Sequence, residues 1–100
     1  MTDRELLKLA AKAAGIEVCG SDLDNLLIDC NGDDWNPLTD DGDALRLAVR
    51  LGIDVMQRRT DPAEVWAQAP MQRTVIEPAG LDRESATRRA IVRAAAEMAK

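Results

Sequence analysis

Ile16-Glu17-Val18-Cys19-Gly20-Ser21-Asp22-Leu23-Asp24-Asn25-Leu26-Leu27-Ile28-Asp29 is the stretch that decides the fold. Its first four residues alternate apolar and polar side chains, the period of a half-buried strand. Gly20-Ser21-Asp22-Leu23-Asp24 then collects turn formers, and Asn25-Leu26-Leu27-Ile28-Asp29 is a second short apolar run. Two runs joined this closely make a hairpin, and a hairpin pairs its strands antiparallel.

Upstream, residues 2–14 read as a helix. Thr2-x-x-Glu5 is a capping box, Leu6, Leu9, Ala10 and Ala13 recur at helical spacing, and Gly15 supplies the left-handed stop. Downstream, residues 30–38 are too polar and too rich in turn formers for a regular element and read as a loop. Thr39 or Asp40 caps a second helix whose inward stripe is Ala44, Leu47, Ala48 and Leu51, with Arg46 and Arg50 at i, i+4 on another face and Gly52 at its end. Ile53-Asp54-Val55-Met56, Glu64-Val65-Trp66-Ala67 and Arg73-Thr74-Val75-Ile76-Glu77 read as three further strands, with a turn at residues 58–62 and, as the alternative to the middle strand, a short helix beginning at Asp61-Pro62-Ala63-Glu64. Asp82 caps a last helix over residues 83–99, its inward positions Thr87, Ala90, Ile91, Ala94, Ala95 and Met98.

The order is therefore α-β-β-α-β-β-β-α, an α+β chain in which an antiparallel sheet buries at least one face beneath three amphipathic helices. At 100 residues it has the size of one domain, residues 1–100. With no Phe or Tyr and only Trp35 and Trp66 as aromatics, the core must be aliphatic.

One internal echo accompanies this order. Lys8-Leu9-Ala10-Ala11-Lys12-Ala13-Ala14-Gly15-Ile16-Glu17-Val18 resembles Arg46-Leu47-Ala48-Val49-Arg50-Leu51-Gly52-Ile53-Asp54-Val55 with a one-residue gap. Both are helix-to-strand junctions closed by glycine, and shared capping chemistry is the simple account of the echo, with a true duplication as the alternative.

Trp35-Asn36-Pro37-Leu38-Thr39-Asp40-Asp41-Gly42-Asp43-Ala44-Leu45-Arg46-Leu47-Ala48-Val49, with Ala86-Thr87-Arg88-Arg89-Ala90-Ile91-Val92-Arg93-Ala94-Ala95-Ala96-Glu97, resembles the phage ABA-sandwich domain, a family of small phage and prophage proteins. The resemblance implies an α/β/α layered sandwich at work in a bacterial cytoplasm. It transfers no functional residue, because the family has no assigned activity.

Charge is distributed unevenly. No Lys or Arg lies between Ala13 and Leu45, where Glu17, Asp22, Asp24, Asp29, Asp33, Asp34, Asp40, Asp41 and Asp43 all fall, and the net charge of the whole chain is −5. Such a segment attracts basic partners and repels nucleic acid. The N-terminus is charged where a signal peptide would be basic and then apolar, and no apolar run is long enough to span a membrane, so the expected place is the cytoplasm. The hairpin puts Cys19 opposite the region of Leu26 and leaves Cys30 beyond it, so both are expected as free thiols.

The absence of histidine excludes Ser-His-Asp and Cys-His catalysis, and no phosphate-binding glycine loop is present, so no catalytic residue and no cofactor are expected. Asp29, Asn31, Asp33 and Asp40 imitate the spacing of a calcium loop, but Asp34 stands where glycine is required and no Glu closes it. The carboxylates from Asp29 to Asp43 therefore read as solvated loop groups and helix caps, with a divalent-metal-dependent enzyme as an alternative. Arg83, Arg88, Arg89, Arg93 and Lys100 make the last helix basic; pairing with the acidic half is the simple account, and a small nucleic-acid-binding domain the alternative. The leading expectation is a non-enzymatic accessory protein that meets a basic host or phage protein through Asp33, Asp34, Trp35, Asp40 and Asp41, with Trp35 either a core anchor or an exposed contact.

Overall fold

The computed structural model describes residues 2–21, 27–29, 34–80 and 82–99, with backbone alone for residues 18–21, 27–29 and 34. Helix α1 (Asp3–Ala14) starts where Thr2 accepts a hydrogen bond from the Glu5 amide at 3.2 Å. It stops at Gly15, whose φ of 72° is a conformation open to glycine at little cost. Two strands, β1 (Val18–Ser21) and β2 (Leu27–Asp29), form the expected antiparallel hairpin. Strand β1 runs further than its alternation suggests, through Gly20 and Ser21, because Val18 pairs with Asp29 and Gly20 with Ile28, leaving Cys19 in a bulge. Cys19 is thus opposite the end of β2 rather than Leu26; Leu26 and Cys30 lie outside the described residues.

Part of the expected loop forms a two-residue strand, β3 (Asp34–Trp35), paired with Ile28 and Leu27. Helix α2 (Asp41–Leu51) follows, capped by Asp40, whose carboxylate accepts from the Asp43 amide at 2.8 Å. Strands β4 (Asp54–Arg58), β5 (Glu64–Gln68) and β6 (Val75–Pro78) make a second antiparallel sheet in the order β4-β5-β6. Helix α3 (Arg83–Ala99) closes the described chain, with Asp82 accepting from the Ser85 amide at 3.0 Å.

The α+β class and the antiparallel pairing hold, while the strands divide between two three-stranded sheets. The centre of the molecule is α3, which packs against α1, α2, β5 and β6. Its buried residues, Ala90, Ile91, Val92, Ala94, Ala95 and Ala96, go most of the way round the helix, the pattern of a core helix rather than a surface one. Thr87 and Met98, expected inward, are only half-buried. Helix α1 meets α3 with Leu6, Leu7, Ala10, Ala11 and Ala14, a wider stripe than expected and rotated from it, so that Ala13 is only half-buried. Alanine on both surfaces lets two helices approach closely, which is how a chain without Phe or Tyr closes its core.

One face of the second sheet, with Val65, Ala67 and Val75 buried, packs beneath α3. On the opposite face Met56, Trp66 and Ile76 form a cross-strand row, and Met56 and Ile76 are 57% and 46% exposed. An α/β/α sandwich buries both faces of its sheet; here the helices cover this sheet from one side among the described residues.

Candidate interaction surface

The acidic stretch enters α2 through a knot of hydrogen bonds. Asn36 Oδ1 accepts from the Leu38 amide at 3.0 Å, and the Asn36 carbonyl accepts from the amides of Thr39 and Asp40. The Asn36 amide donates to Asp43 Oδ2 at 3.0 Å. Trp35, 8% exposed, and the fully buried Pro37 pin this knot to the core. Trp35 is therefore the anchor of the loop, and a partner could reach it only by displacing its packing.

The carboxylates that follow are engaged within the molecule. Arg46 donates to Asp43 Oδ1 at 2.7 Å and lies 3.7 Å from Asp40. The Asp43 hydrogen bond, with smaller attractions to Asp43 and Asp40, raises the Arg46 guanidinium above its ordinary pKa. Arg88 reaches from α3 to Asp41 and donates to the Leu38 carbonyl at 2.9 Å. A basic partner at Asp40 or Asp41 would compete with these arginines, so Asp40, Asp41 and Asp43 do not present a bare negative face. Of the other expected contacts, Asp33 and the side chain of Asp34 lie outside the described residues. No grouping of acidic or cysteine side chains with metal-site geometry occurs among the described residues, which omit much of the Asp29 to Asp43 cluster.

The arginines of α3 are engaged too. Arg89 lies 2.9 Å from Asp3 and Arg93 2.7 Å from Glu77, so the basic side of this helix fastens α1, α2 and β6 to it. Arg83 differs: its Nη1 is buried without a hydrogen-bond partner, the one such side-chain atom among the described residues. An unpaired buried donor costs about 1–3 kcal/mol, more when charged, and asks for an explanation.

Arg83 lines a cleft of about 420 Å³ between α2, α3 and the inner side of β4. Its apolar wall is Ala44, Leu45, Ala48, Val55 and Ile91, and the polar remainder includes Glu84, Arg88 and Asp41. Leu45 and Val49 of α2 are 63% and 74% exposed. Sequence reasoning passed over this cleft, although a signal existed. Leu45 and Val49 stand at i, i+4 outside the stripe Ala44, Leu47, Ala48 that α2 buries, and a helix apolar on a second face has something left to cover.

No helix of the described residues is long and apolar enough to cross a membrane. Comparison with known proteins finds no matching family model, no matching curated protein and no matching solved structure.

Proposed function

We propose that this chain is a non-enzymatic interaction domain that takes an aliphatic, acidic segment of a partner protein into the cleft between α2, α3 and β4. The observation that carries the reading is Arg83 Nη1, a buried donor without a partner at an apolar cleft. A carboxylate of the incoming segment satisfies that donor once the Arg83 side chain turns out into the cleft it lines, while its aliphatic side chains meet Leu45, Ala48, Val55 and Ile91. Binding then removes a desolvation penalty that the free protein carries. The absence of histidine removes the Ser-His-Asp and Cys-His classes of catalysis. The resemblance of residues 35–49 and 86–97 to phage ABA-sandwich domains is the ground for a phage or prophage setting in a bacterial cytoplasm.

The test is an NMR titration of the labelled protein with short peptides that pair leucine or isoleucine with aspartate or glutamate, against lysine-substituted controls. The acidic peptides should give saturable shifts at Ala48, Val55, Arg83 and Ile91, and Arg83→Gln should weaken binding roughly tenfold, the loss of one charge-assisted hydrogen bond. Equal binding of the lysine controls, or no saturable shift at the cleft, would refute it.

A further inference from the structure

Among the described residues β4 is an edge of the second sheet, paired with β5 on one side only, and all five of its residues are exposed. An open edge is a template for another strand. We infer that β4 pairs antiparallel with β4 of a second copy of this chain, across a two-fold axis at Met56, joining two three-stranded sheets into one of six strands.

The sequence of the strand selects this occupant. Asp54-Val55-Met56-Gln57-Arg58 laid antiparallel on itself about Met56 sets Asp54 of each copy opposite Arg58 of the other, Val55 opposite Gln57, and Met56 opposite Met56. Sliding by two residues in either direction leaves an Asp54 or an Arg58 without its counterpart, so charge fixes the register. The Asp54 carboxylate has no ion-pair or hydrogen-bond partner among the described residues, its ladder pairing with Gln68 being through the backbone. Arg58 lies 3.7 Å from Glu64 on one side and keeps a half-exposed guanidinium for the other.

Burial favours the same pairing. Met56 stands beside Trp66, and Trp66 beside Ile76, on the face that no helix covers among the described residues. Pairing across Met56 doubles this exposed row into one continuous apolar ladder of six side chains, each flanked by cross-strand neighbours. The opposite edge is less suited, since β6 ends at Pro78, which has no amide hydrogen to donate, and its Glu77 is already held by Arg89 and Arg93. The contact uses the backbone edge of β4 and not the donor at Arg83, so although Val55 and Gln57 of β4 also line the cleft, loss of the Arg83 donor tests the cleft without touching the pairing.

Sedimentation equilibrium over a wide concentration range tests the inference on the intact chain. The expected result is a reversible dimer that Asp54→Arg alone or Arg58→Asp alone weakens roughly tenfold or more, because each reversal turns two attractive pairs repulsive. Mixing the two variants restores association as a heterodimer, in which both cross-strand pairs are again opposite in sign. Met56→Cys should in addition give a disulfide between the two introduced thiols on mild oxidation, located by peptide mapping, since residues facing each other across antiparallel strands have Cα atoms about 4.5–5.5 Å apart. A monomer at every concentration up to millimolar overturns the inference. So does a dimer that neither charge reversal weakens, or one that Met56→Cys does not cross-link at that position. Arg83→Gln should leave the dimer unchanged.

Discussion

Arg88 on α3 joins Asp41 at the first turn of α2 and, through Nε, holds the Leu38 carbonyl at 2.9 Å, so one side chain fixes the α2 entrance against the central helix. The two contacts differ in worth. Asp41 is largely exposed, and an ion pair to it is screened by water; the Leu38 carbonyl is partly buried and has fewer substitutes. Asp41→Asn should therefore cost less than about 1 kcal/mol, and Arg88→Ala about 1–3 kcal/mol. Denaturant unfolding of both variants and of the double mutant gives the comparison, and equal losses for the two single changes would contradict this division.

Two glycines of α2 should respond in opposite directions to alanine. Gly52 closes the helix at φ 68°, so a side chain there is strained, and Gly52→Ala should destabilise by about 1 kcal/mol. Gly42 sits inside the first turn, where alanine adds up to about 1 kcal/mol of helix propensity. Its Cβ would meet the Arg46 guanidinium at 3.2–3.3 Å, the end of a side chain that can shift, and Asp40 Oδ2 at 3.3 Å, which needs to yield by only a few tenths of an ångström and can do so while keeping its hydrogen bond from the Asp43 amide. The displaced exposed pair is worth about 0–1 kcal/mol, so Gly42→Ala should be neutral or mildly stabilising. Thermal melts of the two variants decide it.

The centre of the fold should tolerate neither addition nor removal of volume. Ala94 and Val92 on α3 are both fully buried, in a helix packed on several sides. Ala94→Leu should cost about 1–3 kcal/mol by overpacking. Val92→Ala should cost on the order of 2 kcal/mol by leaving a cavity. Arg93→Leu offers a control on the exposed side of the same helix, where only the pair with Glu77 is lost and the change should stay near or below about 1 kcal/mol. A flat response across the three would mean that α3 is not the core.

Elements and caps were legible in the sequence because they depend on local chemistry. Thr2, Gly15, Asp40, Gly52 and Asp82 each stand where a helix begins or ends, and each can be read from a few neighbouring residues. Which residues α3 buries was less legible, since Val92 and Ala96 lie off any single stripe and become core only when α1 and the second sheet pack on other sides of the helix. The acidic stretch misled for a related reason. A run of carboxylates without nearby basic residues looks like an open patch, but Arg88 arrives from 47 residues downstream to meet Asp41. The cleft was hidden because it belongs to no segment: Ala48, Val55 and Arg83 come from three elements.

Trp35 and Trp66 report on two different environments, and each can be isolated. Trp35 is 8% exposed and packed with the core at the entrance to α2, whereas Trp66 lies on the uncovered face of the second sheet between Met56 and Ile76. Trp66→Phe leaves Trp35 as the sole emitter, which should fluoresce at shorter wavelength and resist iodide quenching. Trp35→Phe leaves Trp66, which should be quenched more readily, and should lower stability because Phe fills less of the pocket that anchors residues 35–38. Quenching of Trp66 should also fall as protein concentration rises if β4 pairs with its copy, since the apolar row then gains neighbours at Met56. Ready quenching of Trp35 in the folded protein would remove the anchor, and with it the account of how the loop delivers Asp40 to the start of α2.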